Sequence, residues 1–134
     1  MPPERIVFVL PSFAGGGAER VVLTWLRFLD RDRWRPELVL LQAAGPLADE
    51  APADVPLHDL GRPRLRQALP SLLAILRRLR PSAVVSTFGH VNLALAASRP
   101  RWGRDVCLLP REANMPARSL AQTGAEYLYR RAYR

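Results

Sequence analysis

The chain has 134 residues, of which 49% are hydrophobic, and a formal net charge of +8. That length predicts one domain with enough core to fold without disulfides. The single cysteine, Cys107, excludes an internal disulfide and a multi-cysteine metal site, and only His58 and His90 could add imidazole, so no metal is expected.

In chain order, "RIVFVLP" (5–11) is an apolar, β-branched run ended by proline and predicts a buried strand. From Ala18 the period changes: Ala18, Val21, Val22, Trp25, Leu26 and Leu29 form the apolar stripe of a helix. Glu19 and Arg20 are expected on its polar side as solvated charges. "PELVLLQ" (36–42) predicts a second strand and "DVPLHDL" (54–60) a short third one holding a structural His58. Leu65, Leu69, Leu72, Leu76 and Leu79 mark a second helix, whose regular part is expected to start near Leu69 because of Pro70. Arg66, Arg77 and Arg80 are expected on its opposite face. "PSAVVSTF" (81–88) is a strand, "HVNLALAAS" (90–98) a helix, and "DVCLLP" (105–110) a strand with Cys107 expected in the core. A final helix is expected over 120–134. Strands alternating with helices predict an α/β, Rossmann-like, doubly wound parallel sheet.

All 20 basic residues are arginine, which excludes a lysine Schiff base and a P-loop lysine. Nine arginines and no acidic residue lie between Asp59 and Asp105. Such a stretch suits phosphate, anionic lipid or nucleic acid, or is a solvated helix face. It has neither the interleaved aromatics nor the motifs of a nucleic-acid binder, so none is expected as partner. The start "MPPERIVFVLPS" is not a signal peptide, and no run of 18 apolar residues occurs, so a cytoplasmic protein is expected.

The glycines of "PSFAGGGAERVV" (11–22) lie between a strand and a helix, at the sheet edge where ligands gather in this architecture. A dinucleotide site fails twice. The third glycine position of the fingerprint is Arg20, and the second strand ends in Leu41, Gln42 and Ala43 rather than an acid. Backbone N–H groups at the helix start leave an anion or a sugar diphosphate open as ligand.

"RIVFVLPSFAGGGAERVVLTWLRFLDRDRWRPELVLL", "GPLADE", "LPSLLAILRRLRPSAVVSTFGHVNLALA" and "PREANMP" together resemble the amino-terminal half of glycosyltransferase family 4. The resemblance runs in order along nearly the whole chain, and "GGGAERV" and "STFGHVN" are its most specific blocks. It implies one half of a retaining, two-domain GT-B enzyme that moves a sugar from a nucleotide sugar to a saccharide or lipid-linked acceptor. Cell-envelope polysaccharide or glycolipid synthesis is the usual setting. Residues 1–134 would be the acceptor-binding domain. The donor half, with its Glu-x7-Glu motif, has no counterpart here, so this chain alone is expected to be inactive and to need no cofactor. A nucleotide-binding regulatory or redox domain of the same fold is the alternative reading.

The resemblance implies that Gly16 and Gly17 approach donor diphosphate or acceptor, while Gly15 shapes the turn. It also points to His90 as the catalytic-site histidine touching the transferred sugar or acceptor; capping its helix is the other reading. Asn92 either bonds a sugar hydroxyl or satisfies local backbone. Arg111, Glu112 and Asn114 form a polar cluster suited to an acceptor's phosphate or hydroxyls, with Arg111 the best phosphate ligand among them. The basic 62–104 region would rest on an anionic membrane surface, making the enzyme peripheral at the inner face.

Overall fold

The runs Ile6–Leu10, Pro36–Leu40 and Ala83–Thr87 are buried throughout, the pattern of parallel strands covered on both faces. In the structure, a computed structural model describing residues 2–112, they belong to three central strands. The elements are β1 (Glu4–Leu10), α1 (Gly17–Phe28), β2 (Trp34–Leu40), β3 (Leu57–Asp59), α2 (Leu65–Leu79), β4 (Ala83–Thr87), α3 (Gly89–Ala97), α4 (Arg99–Trp102) and β5 (Cys107–Arg111). All pairings are parallel, in the order β3-β2-β1-β4-β5. The fold is therefore the expected Rossmann-like α/β sheet.

Alternation along the strands divides the core in two. Phe8, Leu10, Leu38, Leu40 and Val85 pack with Val22, Leu23 and Leu26 of α1. Val7, Val9, Val39 and Val84 pack with Leu72, Leu76 and Leu79 of α2 and with Val91 and Leu95 of α3. The chain moves outward from β1 through β2 to β3, then returns through α2 to β4 on the other side of β1. Right-handed crossovers put helices on opposite faces when the direction reverses. The reversal opens a crevice between the ends of β1 and β4.

Several local expectations are corrected. The third strand is only three residues long, and its Leu57 is 45% exposed. The second helix starts at Leu65 and runs through Pro70, whose exposed ring sits in the interior of the helix. Arg80 is not on that helix face but caps its end in the left-handed region (φ 46°, ψ 57°). Cys107 is exposed, because it opens the edge strand on a side that no described helix covers. The expected helix over 120–134 lies outside the described residues.

A polar row crosses the sheet beneath the end of α2. Glu37, buried in β2, has Arg5 Nε 2.9 Å from Oε1 and His58 Nε2 2.6 Å from Oε2. Arg5 Nε is within ion-pair distance yet makes no aligned hydrogen bond, whereas Arg5 Nη1 donates to the Leu79 carbonyl. This gives His58 the structural place expected for it. Among the described residues, no helix is long and apolar enough to cross a membrane.

Candidate functional site

In a parallel sheet all strand ends lie on one edge, and ligands settle where the winding direction reverses. Here that is the crevice bounded by the β1–α1 turn (11–16) and the β4–α3 turn at Phe88. The sequence-predicted site residues that lie among the described ones divide between its two walls.

On the first wall, Gly15 has φ +93°, so it bends the turn as expected. Gly16 is the cap of α1 without any side-chain capping bond, and Gly17 is its first residue. A Cβ at Gly17 would meet nothing within 4 Å, leaving open space over the helix start. A Cβ at Gly16 would lie 2.7 Å from Glu19 Oε2. Glu19 therefore corrects the sequence reading. It is 5% exposed rather than solvated, and its carboxylate folds back over the turn, while Arg20 is exposed. As third residue of the helix, it places negative charge where the helix dipole and free N–H groups favour it. Among the described residues, nothing donates a hydrogen bond to that carboxylate and no cation pairs with it.

The second wall begins at Phe88, whose backbone has φ 78° and ψ 130°, a conformation costly for a residue with a side chain. It caps α3 with no side-chain bond, and His90 is the second residue of that helix. His90 thus does not cap by its side chain. Its ring is open to solvent on one side and lies 6.3 Å from the Phe88 ring by centroids. The protein around the other side strips part of the hydration from the imidazolium, and this desolvation lowers the His90 pKa below its usual 6.5.

Asn92 is wholly buried and is the joint of this wall. Its Oδ1 accepts from Ser86 Oγ at 2.6 Å, and its Nδ2 donates to the Arg111 carbonyl at 2.9 Å and to Glu112 Oε1 at 3.1 Å. These bonds tie β4 and α3 to the end of β5. Glu112 in turn reaches the head of α3, where its Oε2 would lie 3.6 Å from a Cβ at Gly89. Sequence reasoning put Glu112 in a polar cluster but had no signal for this placement, which depends on β5 ending beside α3.

Arg111 lies opposite Thr87 in the β4–β5 pairing. Its guanidinium stacks over Trp25, 5.4 Å from the ring centroid, and its Nη1 is buried without a hydrogen-bond partner. Thr87 Oγ1 is likewise buried and unpartnered. These neighbouring orphans have lost hydration without replacing it, an arrangement that cores rarely tolerate. Asn114 lies outside the described residues. No group of three or more His, Cys, Asp or Glu side chains suited to a metal occurs among the described residues.

Away from the crevice, a groove of about 540 Å³ runs between α2 and α4. Leu69, Pro70, Leu73 and Ala74 form its floor, and Arg66, Arg77 and Arg101 rim it. No family model matches the chain, and no curated protein matches it.

Proposed function

We propose that the chain is the acceptor-binding half of a retaining glycosyltransferase resembling family 4, which passes a sugar from a nucleotide sugar to a glycan or lipid-linked acceptor. The observation that carries this reading is the convergence of the glycine turn and the His90 loop on one switch-point crevice. Open space over Gly17 leaves room for a ligand against backbone, and His90, in the first turn of α3 at the same sheet edge, has a lowered pKa. A neutral imidazole can accept a hydrogen bond from a hydroxyl and hold it in position. The contribution is one of positioning, since reacting groups held in line lose less entropy on the way to the transition state. The nucleotide sugar is held mainly by a second, donor-binding half.

The redox alternative is disfavoured by the end of β2, where Leu41, Gln42 and Ala43 supply no carboxylate for a ribose. The groove between α2 and α4, apolar in its floor and arginine-rich at its rim, supports contact with an anionic membrane on the cytoplasmic side. Such a setting suits envelope polysaccharide or glycolipid assembly.

The test is transfer itself. The product of the complete reading frame is incubated with nucleotide sugars labelled in the sugar and with glycan and glycolipid acceptors. Transfer with retained anomeric configuration is expected; absence of transfer from every donor overturns the reading.

A further inference from the structure

Thr87 and Arg111 lie side by side at the ends of β4 and β5. Ala83 and Val85 of β4 pack into the core on the α1 side, and alternation along the strand brings Thr87 to that same face. Thr87 is 0% exposed, and its Oγ1 has no hydrogen-bond partner. Arg111 Nη1 is buried without one as well. A buried hydroxyl and a buried charged N–H, next to each other and both unpaired, call for an acceptor shared between them.

The charge of Arg111 is unmatched too. Among the described residues, no carboxylate lies within ion-pair distance of its guanidinium. The adjacent Glu112 turns to the opposite face, where its Oε1 accepts from Asn92 Nδ2. What holds the guanidinium is the Trp25 ring, 5.4 Å from it and itself packed against Phe8. A ring attracts a part-exposed cation weakly and takes up none of its N–H groups in the guanidinium plane. The place is open to solvent on one side, since Arg111 is half-buried, Trp25 is 42% exposed and Leu109, one step back on the same face of β5, is 48% exposed.

We propose that Thr87 and Arg111 form a subsite for an acidic substituent of the acceptor sugar, a carboxylate or a phosphate. The guanidinium donates to its oxygens in the paired geometry suited to either group, and the Thr87 hydroxyl donates one bond more. Trp25 is a positioning residue that keeps the guanidinium at the end of the sheet. The subsite lies at the same sheet edge as His90, and this inference rests on the acceptor-binding reading for the identity of its ligand.

The test uses the ¹⁵N-labelled 134-residue chain at constant ionic strength. Methyl α-glucoside, methyl α-glucuronide and methyl α-glucoside 6-phosphate differ only at the exocyclic carbon, which is alcohol, carboxylate or phosphate ester. The amide signals of Thr87 and Arg111 are followed, with the Trp25 indole N–H identified by its loss in Trp25→Phe. One or both acidic glycosides are expected to shift these signals, with the neutral one at least about tenfold weaker, the scale of one charge-assisted hydrogen bond. The tighter of the two names the group. Arg111→Lys keeps the charge but loses the fork, and is expected to weaken that ligand about tenfold. Thr87→Val exchanges an unpaired hydroxyl for a methyl of the same shape, so it should bind about tenfold more weakly yet unfold in urea no earlier than the unaltered chain. A hydroxyl needed for structure would not separate binding from stability in this way.

A neutral glycoside as tight as the acidic ones overturns the proposal, and so does unchanged affinity in either variant. Inorganic phosphate as tight at these signals as the preferred glycoside would reveal a bare ion site and overturns it too. The absence of any shift by the acidic glycosides up to about 100 mM, well beyond millimolar affinity, has the same effect. Acidic glycosides bound here without transfer by the complete gene product would sink the transferase reading alone; transfer to acceptors with no anion bound here would sink this one alone.

Discussion

Glu37 and His58 stand on adjacent strands with Oε2 and Nε2 2.6 Å apart, and Arg5 closes on the other oxygen of the same carboxylate. Because Arg5 Nη1 also holds the Leu79 carbonyl, the row links β3, β2 and β1 to the last turn of α2. Removing the carboxylate leaves two partners with lost hydration. Glu37→Ala is expected to cost about 2–3 kcal/mol, less than a fully buried pair because 31% of the Arg5 side chain stays exposed. Urea unfolding measures this; a loss within error would show that the row does not hold α2 in place.

Phe88 is held at φ 78° at the head of α3 while packing against the α1-side core. Glycine is freed from the backbone strain, of order 1–3 kcal/mol, whereas alanine keeps it and also loses the ring. Phe88→Gly is therefore expected to be more stable than Phe88→Ala, reversing the usual order of these residues. Thermal unfolding of the two variants side by side checks the order.

The three glycines should respond differently. Gly17→Ala, with nothing near its Cβ, is expected to stabilise the chain by about 0.5 kcal/mol through the unfolded state. It should nonetheless weaken ligand binding at the turn. Gly16→Ala should displace the Glu19 carboxylate at little cost in stability, since the clash is with the far end of a flexible side chain. Gly15→Ala is strained by its φ of +93° and should destabilise by more than about 1 kcal/mol. Calorimetry on the three variants tests the series.

His90 offers a pH prediction. Its pKa in the folded chain is lowered by desolvation, so below pH 6.5 the unfolded chain takes up the proton first. Its contribution to stability is thus complete above 6.5 and falls as pH drops towards the folded value. The imidazole signal of His90 should titrate below 6.5, and His90→Gln should reduce the loss of stability between pH 7 and 5. A midpoint above 6.5 would contradict the local environment described. On the proposed transferase reading, His90→Ala in the complete gene product is expected to lower kcat about 100-fold, as for a positioned polar group. Its melting temperature should barely change, because the ring makes no capping bond.

The strands could be read from the sequence because Ile6–Leu10 and Ala83–Thr87 are buried on both faces, and burial of that kind leaves an unbroken apolar run. The crevice followed from strand–helix alternation, which brings Gly15–Gly17 and His90 to one edge. Glu19 could not be read in this way. Helical periodicity assigns it a polar face, but in the first turn a long side chain can fold back over the cap, and the glycine at 16 is what allows it. Cys107 was misjudged because an apolar run does not reveal whether its strand lies at the centre or the edge of the sheet. Pro70 suggested a later start for α2, yet the amphipathic stripe from Leu65 onward buries enough surface to carry the helix through it.

The segment after β2 braces the glycine turn. Gly45, at φ +130°, lies so close to Phe13 that any side chain there would strike the Phe13 carbonyl. Phe13 N donates to the Ala44 carbonyl at 3.0 Å, and Leu47 N donates to the Phe13 carbonyl at 3.3 Å. The turn after β1 and the segment after β2 are therefore one mechanical unit. Changes at 44–47, remote in sequence from Gly16 and Gly17, should retune the ligand preference of the crevice by shifting its floor. For anyone redesigning the specificity of this domain, that outer segment is the adjusting screw.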